Sequence, residues 1–345
     1  MAKCVFRDGT VIEDFGQPYI VAEVNSSHNG DVSVAKQMID AAVECGCNCV
    51  KFQSWSAESL YSKTYYDENR IAGRFVHKFA LSESEISEVC SYCMEKGIAF
   101  SSTPYSESEV DYLIDKCKVP FIKISSMELN NKPFLQYVGA KHVPVVLSTG
   151  MGTAEEIRNA VKVMKEVGVE NMVLLHCVSV YPVAASMVNL NNIVGLREEY
   201  KDYPIGFSDH TEGDAIAGAA IALGAALLEK HITLDKTKVG MDNGMATEPD
   251  EMKELVEKCH RIHSALGSKL RTVSEAEYAQ RLKMRRSVIA VRDIPAGTIL
   301  KREDLYAKRP GTGISVTEID ELPGRKLLND VKADTLIMEN DLEAL

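Results

Sequence analysis

Two lysines stand inside apolar runs, Lys51 in CVKFQ (49–53) and Lys123 in FIKISS (121–126). Burying a charge in an apolar strand is costly. One such lysine reads equally well as a snorkelling or ion-paired side chain. Two of them, with hydroxyls and glycine-bounded turns nearby, point to a pocket for a phosphorylated anion, in which the ammonium groups supply charge and the hydroxyls and backbone amides supply fixed donors. His210 and His231 close two further apolar runs, PIGFSDH (204–210) and LLEKHIT (227–233). A lone histidine is usually a hydrogen-bonded interior residue. Two on adjacent strand ends can share a cation and leave coordination positions open for water and substrate; nitrogen and oxygen donors together suit manganese, cobalt or iron, and magnesium less well. Glu128 and Glu23, also at strand ends, are candidates for general acid–base work or for holding a substrate hydroxyl. His176 lies deeper in its run and packs, while His260 and His263 belong to a solvated helix face.

These residues need a scaffold that brings distant segments to one place. Eight short apolar runs recur: 19–24, 49–53, 99–104, 121–126, 143–149, 172–179, 204–210 and 227–233. Between them the period turns helical, as in SVAKQMIDAAVECG and TAEEIRNAVKVMKEVG, with Ser, Thr or Asp at the start and Gly at the end. Eight strand–helix units in about 265 residues predict a (β/α)8 barrel, whose active site lies at the C-terminal strand ends. Those ends are polar throughout, from Glu23 and Lys51 through Thr103, Ser126, Ser148 and Ser179 to Ser208, His210, Glu229 and His231. Residues 54–81 are too long and polar for an ordinary connection and are expected as a lid or substrate wall. The pattern predicts a barrel over 1–267, a polar, basic linker over 268–286 and a small, mainly β domain over 287–345, with turns at Pro295-Ala-Gly297 and Pro310-Gly311.

Composition narrows the function classes. Thirty-nine basic against fifty acidic residues give a formal charge of −11, which excludes a general attraction to nucleic acid or anionic membrane. No signal peptide and no apolar run of membrane-spanning length occurs, so a cytoplasmic protein is expected. The nine cysteines are scattered without zinc-finger spacing, and reduced, buried thiols are expected.

Taken together, Glu23 with HisAsnGly at 28–30, LysPheGln at 51–53, SerThrPro at 102–104, LysIleSerSer with Glu128, LeuSerThrGlyMet at 147–151, SerAspHisThr at 208–211 and GluLysHis at 229–231 resemble the sialic acid synthase family. The tail, from ArgSerValIleAla to LysArgProGlyThrGly, resembles the antifreeze-like (SAF) domain these synthases carry. The resemblance implies condensation of phosphoenolpyruvate with an open-chain N-acetylated hexosamine, typically N-acetylmannosamine or a modified relative, to a nine-carbon 2-keto sugar acid and phosphate, a divalent metal, usually manganese with magnesium or cobalt as substitutes, and a domain-swapped homodimer. By matched position it implies His210 and His231 as metal ligands, and Lys51, Thr103, Lys123, Ser126, Ser148 and Ser208 around phosphoenolpyruvate. Gln53, Tyr181, Glu128 and Asp242 would face the sugar, and Arg309 would reach the partner subunit's site. The chain departs from the family at Ser179, where an asparagine is usual, in AsnSerSerHisAsnGly at 25–30, and in lacking an aromatic in GlnArgLeuLysMetArgArg (280–286). These departures point to a modified acceptor, such as the 2,4-diacetamido sugars that lead to legionaminic or pseudaminic acid. Two other readings are a metal-dependent barrel hydrolase or aldolase, which leaves the lysines without a use, and a non-catalytic carbohydrate- or ice-binding protein, which leaves the polar strand ends unexplained.

Overall fold

A short antiparallel hairpin, β1 (Lys3–Val5) and β2 (Val11–Glu13), precedes eight parallel strands in the computed structural model, which describes residues 2–344. The eight are β3 (Tyr19–Glu23), β4 (Cys49–Ser54), β5 (Ala99–Pro104), β6 (Ile122–Ile124), β7 (Val145–Ser148), β8 (Met172–Cys177), β9 (Ile205–Asp209) and β10 (Leu227–His231). Their order, β5-β4-β3-β10-β9-β8-β7-β6, is that of a (β/α)8 barrel. The seam between β5 and β6 carries no ladder; Ser101 Oγ spans it, donating to the Phe121 carbonyl at 3.0 Å. Seven of the eight strands fall within their apolar runs, and β4 passes the end of its run by one residue, Ser54.

Side-chain alternation then sorts the strands into two faces. Outward residues such as Ile20, Val50, Ile122 and Leu174 pack under the helices in the main core. Inward residues fill the lower barrel: Tyr19, Val21, Cys49, Phe121, Val146, Val173, Leu175 and Leu227 form one apolar cluster with Cys4, Phe6 and Ile12 of the hairpin. The Phe6 ring lies 4.5 Å from that of Phe121 and 5.5 Å from that of Tyr19. The hairpin, which the sequence pattern did not predict, thus plugs the barrel floor, and burying Phe6 there contributes about 2 kcal/mol. With the lower layers apolar, polar side chains are confined to the strands' C-terminal ends.

The helices are set by local signals. Ser82 with Glu85 and Thr153 with Glu156 form capping boxes that open the helices Glu83–Lys96 and Ala154–Glu166, each satisfying N–H groups that lack intrahelical partners. Gly97 ends the first of these at φ 72°, a conformation in which a side chain would be strained. Residues 54–81, expected as a polar loop, instead contain three short helices, Ala57–Leu60, Lys63–Glu68 and Arg70–Phe79. They have a small core of their own around Trp55, Val76 and Phe79.

Two compact units divide the chain, Met1–Gly267 and Ser268–Leu345. In the second, the antiparallel strands β11 (Ser287–Ala290) and β12 (Leu305–Lys308) enclose a core that includes Val288, Leu300, Leu322 and Ile337. The stretch expected as a linker contains a helix, Glu275–Met284, whose Leu282 carbonyl accepts from the Gly311 N–H at 2.9 Å. All nine cysteines are buried free thiols. Among the described residues no helix is long and apolar enough to cross a membrane.

Candidate active site

The strand ends open into a cavity of about 360 Å³, a size that suits small-molecule ligands. Period-two alternation decides which residues reach it: Glu23, Lys51, Thr103, Lys123, Ser148, Ser208, Glu229 and His231 all point inward. On its floor Lys51 Nζ pairs with Glu23, donates to Thr103 Oγ1 at 3.1 Å and lies 3.7 Å from a Glu229 oxygen. Lys123 Nζ donates to Ser148 Oγ at 2.7 Å and lies 4.0 Å from the same Glu229 oxygen. Glu229 also accepts from Ser208 Oγ at 3.0 Å. Two carboxylates therefore neutralise two ammonium groups that are almost completely buried, as buried charges require.

The two lysines are not equivalent. Burial opposes charge on both, but the Glu229 and Glu23 carboxylates outweigh it at Lys51 and raise its pKa. At Lys123 burial wins, aided by repulsion from Lys51, and the pKa falls. Glu23 is pushed above the usual carboxylate range by burial, against the pull of Lys51. At Glu229 burial acts upward, yet Lys123 and Lys51 together hold the pKa down. An incoming phosphate anion would draw on the Lys123 ammonium most, since that group has the weaker partners.

Above the floor, the His210 and His231 rings meet edge to face with centroids 5.3 Å apart. His210 Nδ1 lies 2.8 Å from the Val178 carbonyl, so Nδ1 carries a proton, and Nε2 lies 3.5 Å from Ser208 Oγ. His231 Nδ1 is 3.5 Å from Asp242 Oδ2, which also accepts from Asn25 Nδ2. Burial, and then repulsion from His210, hold His231 well below the usual histidine range and keep it neutral. Among the described residues no three His, Cys, Asp or Glu side chains form a ready-made metal cage. Two imidazole nitrogens with a carboxylate beside them fit a divalent cation that keeps open coordination positions. The Tyr181 ring covers His210 at 4.2 Å.

The structure brings together nearly all of the residues singled out by sequence. Gln53, Ser126, Ser179, Tyr181 and Asp242 also line the cavity; Gln53 Nε2 donates to Glu23 at 2.9 Å and its carbonyl accepts from Tyr105 at 2.6 Å. Gly150 permits the close approach of Ser126 and Ser179, because a Cβ there would stand 2.4 Å from Ser179 Oγ and 2.7 Å from Ser126 Oγ. Glu128 is outside the lining residues; it ends the single 3₁₀ turn Ser126–Glu128 at half burial and accepts from Asn131 Nδ2 at 2.6 Å. Arg309 is exposed in the second unit. Glu229, named from the sequence only as a polar strand end and given no role, lines the cavity, as do Asn25, Trp55, Tyr105 and Cys177, which were likewise given none. Of these, only Glu229 had a legible signal, since it stands two residues before His231 and so on the same face of its strand.

A parallel barrel whose mouth gathers charge-paired lysines beneath two neighbouring imidazoles is a barrel enzyme equipped for an anionic substrate. The chain belongs to the NeuB family, whose model matches residues 38–271, and a SAF domain matches residues 285–343. It is 36% identical to the N,N'-diacetyllegionaminic acid synthase of Legionella pneumophila over 94% of this chain and 95% of that one. It is 35% identical to the N-acetylneuraminate-9-phosphate synthase of Mus musculus over 94% and 93%. The crystal structure of an N-acetylneuraminic acid synthetase from Leptospira borgpetersenii, in complex with citrate, superposes with a TM-score of 0.74 at 31% identity, covering 81% of this chain and 96% of that one. The chain is thus an enzyme of the synthase class.

Proposed function

We propose that the protein condenses phosphoenolpyruvate with an N-acetylated hexosamine, giving a nine-carbon 2-keto sugar acid and inorganic phosphate. The observation that carries this reading is the juxtaposition, in one cavity, of Lys51 and Lys123 on the floor with the imidazole pair above them. Family membership supports it. The lysines and the Thr103, Ser126, Ser148 and Ser208 hydroxyls offer donors to the phosphate and carboxylate of phosphoenolpyruvate, and Gln53, Tyr181 and Asp242 offer the sugar hydrogen-bond partners.

A divalent metal, manganese above all, held by His210 and His231 would act as a Lewis acid on the acceptor carbonyl. C3 of phosphoenolpyruvate uses the C2–C3 π pair to form the new C–C bond to the sugar aldehyde carbon, leaving C2 as an oxocarbenium-like centre, while the aldehyde π pair moves onto its oxygen, which takes a proton and becomes a hydroxyl. Water adds at C2, one proton passing to a carboxylate; the C2 hydroxyl then gives up its proton and becomes the keto group as the C2–O bond to phosphate breaks and phosphate leaves with the bonding pair. Glu23 on the floor and Glu128 at the rim are the carboxylates proposed for this work. The negative charge of Glu23 and Glu229 beside the floor also stabilises a cationic C2.

The test is phosphate release from phosphoenolpyruvate with manganese and an N-acetylated hexosamine, followed by mass analysis of the product. Release that depends on both the metal and the sugar, with a product equal in mass to the two substrates plus water minus phosphate, is expected. Metal-dependent hydrolysis without incorporation of the sugar would overturn the proposal.

A further inference from the structure

Asn25 lines the cavity without a part in the steps proposed above, and its backbone and side chain are both committed there. It lies two residues past the end of β3, is only 6% exposed and adopts φ 44°, a left-handed conformation that asparagine enters more readily than most residues but at a cost. Its backbone N–H donates to Glu23 Oε1 at 3.1 Å, and its side-chain Nδ2 donates to Asp242 Oδ2. One residue thus ties a carboxylate of the floor to the carboxylate beside His231. The next two residues grip the same loop: Ser26 Oγ accepts from the Met241 N–H at 2.9 Å, and Ser27 Oγ donates to Asn243 Oδ1 at 2.6 Å. The two loops follow neighbouring strands, since β3 and β10 pair with Glu23 opposite His231. Gly240 lets the second loop fold back on itself, because a Cβ there would stand 2.3 Å from Asn243 Oδ1. Residues 25–27 open the stretch in which the sequence departs from the family, and here they build a three-point contact with the loop that carries Asp242.

With Nδ2 on Asp242, the other end of the Asn25 amide points elsewhere. That carbonyl oxygen, Oδ1, is buried and meets no donor among the described residues. A buried acceptor left unpaired is costly, and one that belongs to a cavity-lining residue is suited to a ligand O–H or N–H. We propose that Asn25 is a further acceptor-positioning residue: Nδ2 holds Asp242 in the orientation that meets the sugar, and Oδ1 accepts from a hydroxyl or amide N–H of that sugar. The inference rests on the condensation reading above, in which Asp242 faces the acceptor. Asn25 reaches Glu23 only through its backbone, so its side chain is separable from the floor on which phosphoenolpyruvate would sit.

Asn25→Gly is the discriminating variant. Glycine enters the left-handed region without strain, so the backbone and its bond to Glu23 stay while both side-chain contacts go. The assay uses manganese, phosphoenolpyruvate and whichever of N-acetylmannosamine and a 2,4-diacetamido-2,4,6-trideoxyhexose the unaltered enzyme turns over faster. KM for the sugar is expected to rise at least about tenfold, the effect of leaving polar groups in a buried site unpaired. KM for phosphoenolpyruvate, the manganese Kd and the thermal midpoint are expected to stay near wild type. Asn25→Asp tolerates the same backbone and keeps an acceptor oxygen, but it sets a like charge against Asp242 and is expected to weaken the sugar at least as much. A sugar KM near wild type in folded Asn25→Gly overturns the inference. So does wild-type behaviour of Asn25→Asp, because the amide N–H is then not what aims Asp242. A rise in the phosphoenolpyruvate KM or the manganese Kd equal to that for the sugar also overturns it, by making Asn25 a support of the whole mouth. Condensation stands in each of these three cases. Failure of the unaltered enzyme, folded and manganese-bound, to incorporate either sugar overturns the condensation reading and this inference with it.

Discussion

His28 stands inside one of the most suggestive motifs in the chain and serves the fold. It is buried and outside the cavity lining; its Nδ1 accepts from the Gly30 N–H at 3.0 Å, and its ring lies 5.9 Å from that of Phe52. Burial pushes its pKa down from 6.5 to about 4, against smaller upward effects from the Asn25 backbone, Glu85 and Asp31. Because the folded pKa is depressed, its stabilising contribution is complete above pH 6.5 and is lost as pH falls toward 4, at up to about 1.4 kcal/mol per pH unit. His28→Gln is therefore expected to lower the urea midpoint at pH 7.5 and to lose less stability than wild type between pH 6.5 and 4. A deficit that stays constant across that range would show that protonation of His28 is not the cause. The two proposed carboxylates divide in the same way by surroundings. Glu23 is tied to Lys51, so Glu23→Gln is expected to raise KM for phosphoenolpyruvate. Glu128 touches neither lysine, so Glu128→Gln is expected to lower kcat by about 100-fold or more, the range for a lost acid–base group, with KM for phosphoenolpyruvate within a fewfold of wild type. Near wild-type kcat in Glu128→Gln with both substrates and manganese saturating would remove it from the reaction.

At the scale of elements, the strand ends that carry His210 and His231 are pinned from behind. Asp209 and Lys230 pair in register across β9 and β10 and face away from the cavity. Lys230 Nζ lies 2.8 Å from Asp209 Oδ2 and donates to the Thr211 carbonyl, while Asp209 Oδ1 accepts from the Thr211 N–H at 2.9 Å and from its hydroxyl at 2.7 Å. Neither charged side chain is more than 1% exposed. Removing one member leaves an unpaired buried charge, a loss of about 3–5 kcal/mol. The double variant Lys230→Met with Asp209→Leu is expected to regain most of that stability but to bind manganese at least about tenfold more weakly, because the ends that aim the imidazoles are no longer locked. Wild-type affinity in a stable double variant would reduce the pair to a packing role. The eight strands were legible because each is an apolar run that changes abruptly to polar residues, and His210, His231 and the lysines followed from their places on those runs. The hairpin was not: strands of three residues are too short to show alternation. Two of the helices in 54–81 were hidden because they are only four and six residues long, whereas the ten-residue Arg70–Phe79 was missed although its apolar residues recur at helical spacing.

The second unit begins at Ser268, whereas the pattern predicts a linker over 268–286 and shows the change from long helical periods to short β-like runs with Pro and Gly turns only from 287. What no periodicity carries is where the second unit works. Its exposed Arg309 has a proposed place only through the family resemblance, in the cavity of a partner within a homodimer. Arg309→Ala alone is expected to impair turnover whether the arginine acts in its own barrel or its partner's, so mixing decides between them. When Arg309→Ala is refolded at equal amounts with Glu128→Gln, half of the dimers are mixed by random pairing. If Arg309 acts in trans, each mixed dimer joins one intact barrel to one intact arginine at one site and both defects at the other, and about a quarter of all sites regain full activity. If it acts within its own chain, every site keeps one defect and mixing restores nothing. Recovery near a quarter, with each parent inactive alone and sedimentation showing dimers, is the expected result. A monomer in solution that retains full activity would remove any need for the partner's arginine and return Arg309 to the surface of its own unit.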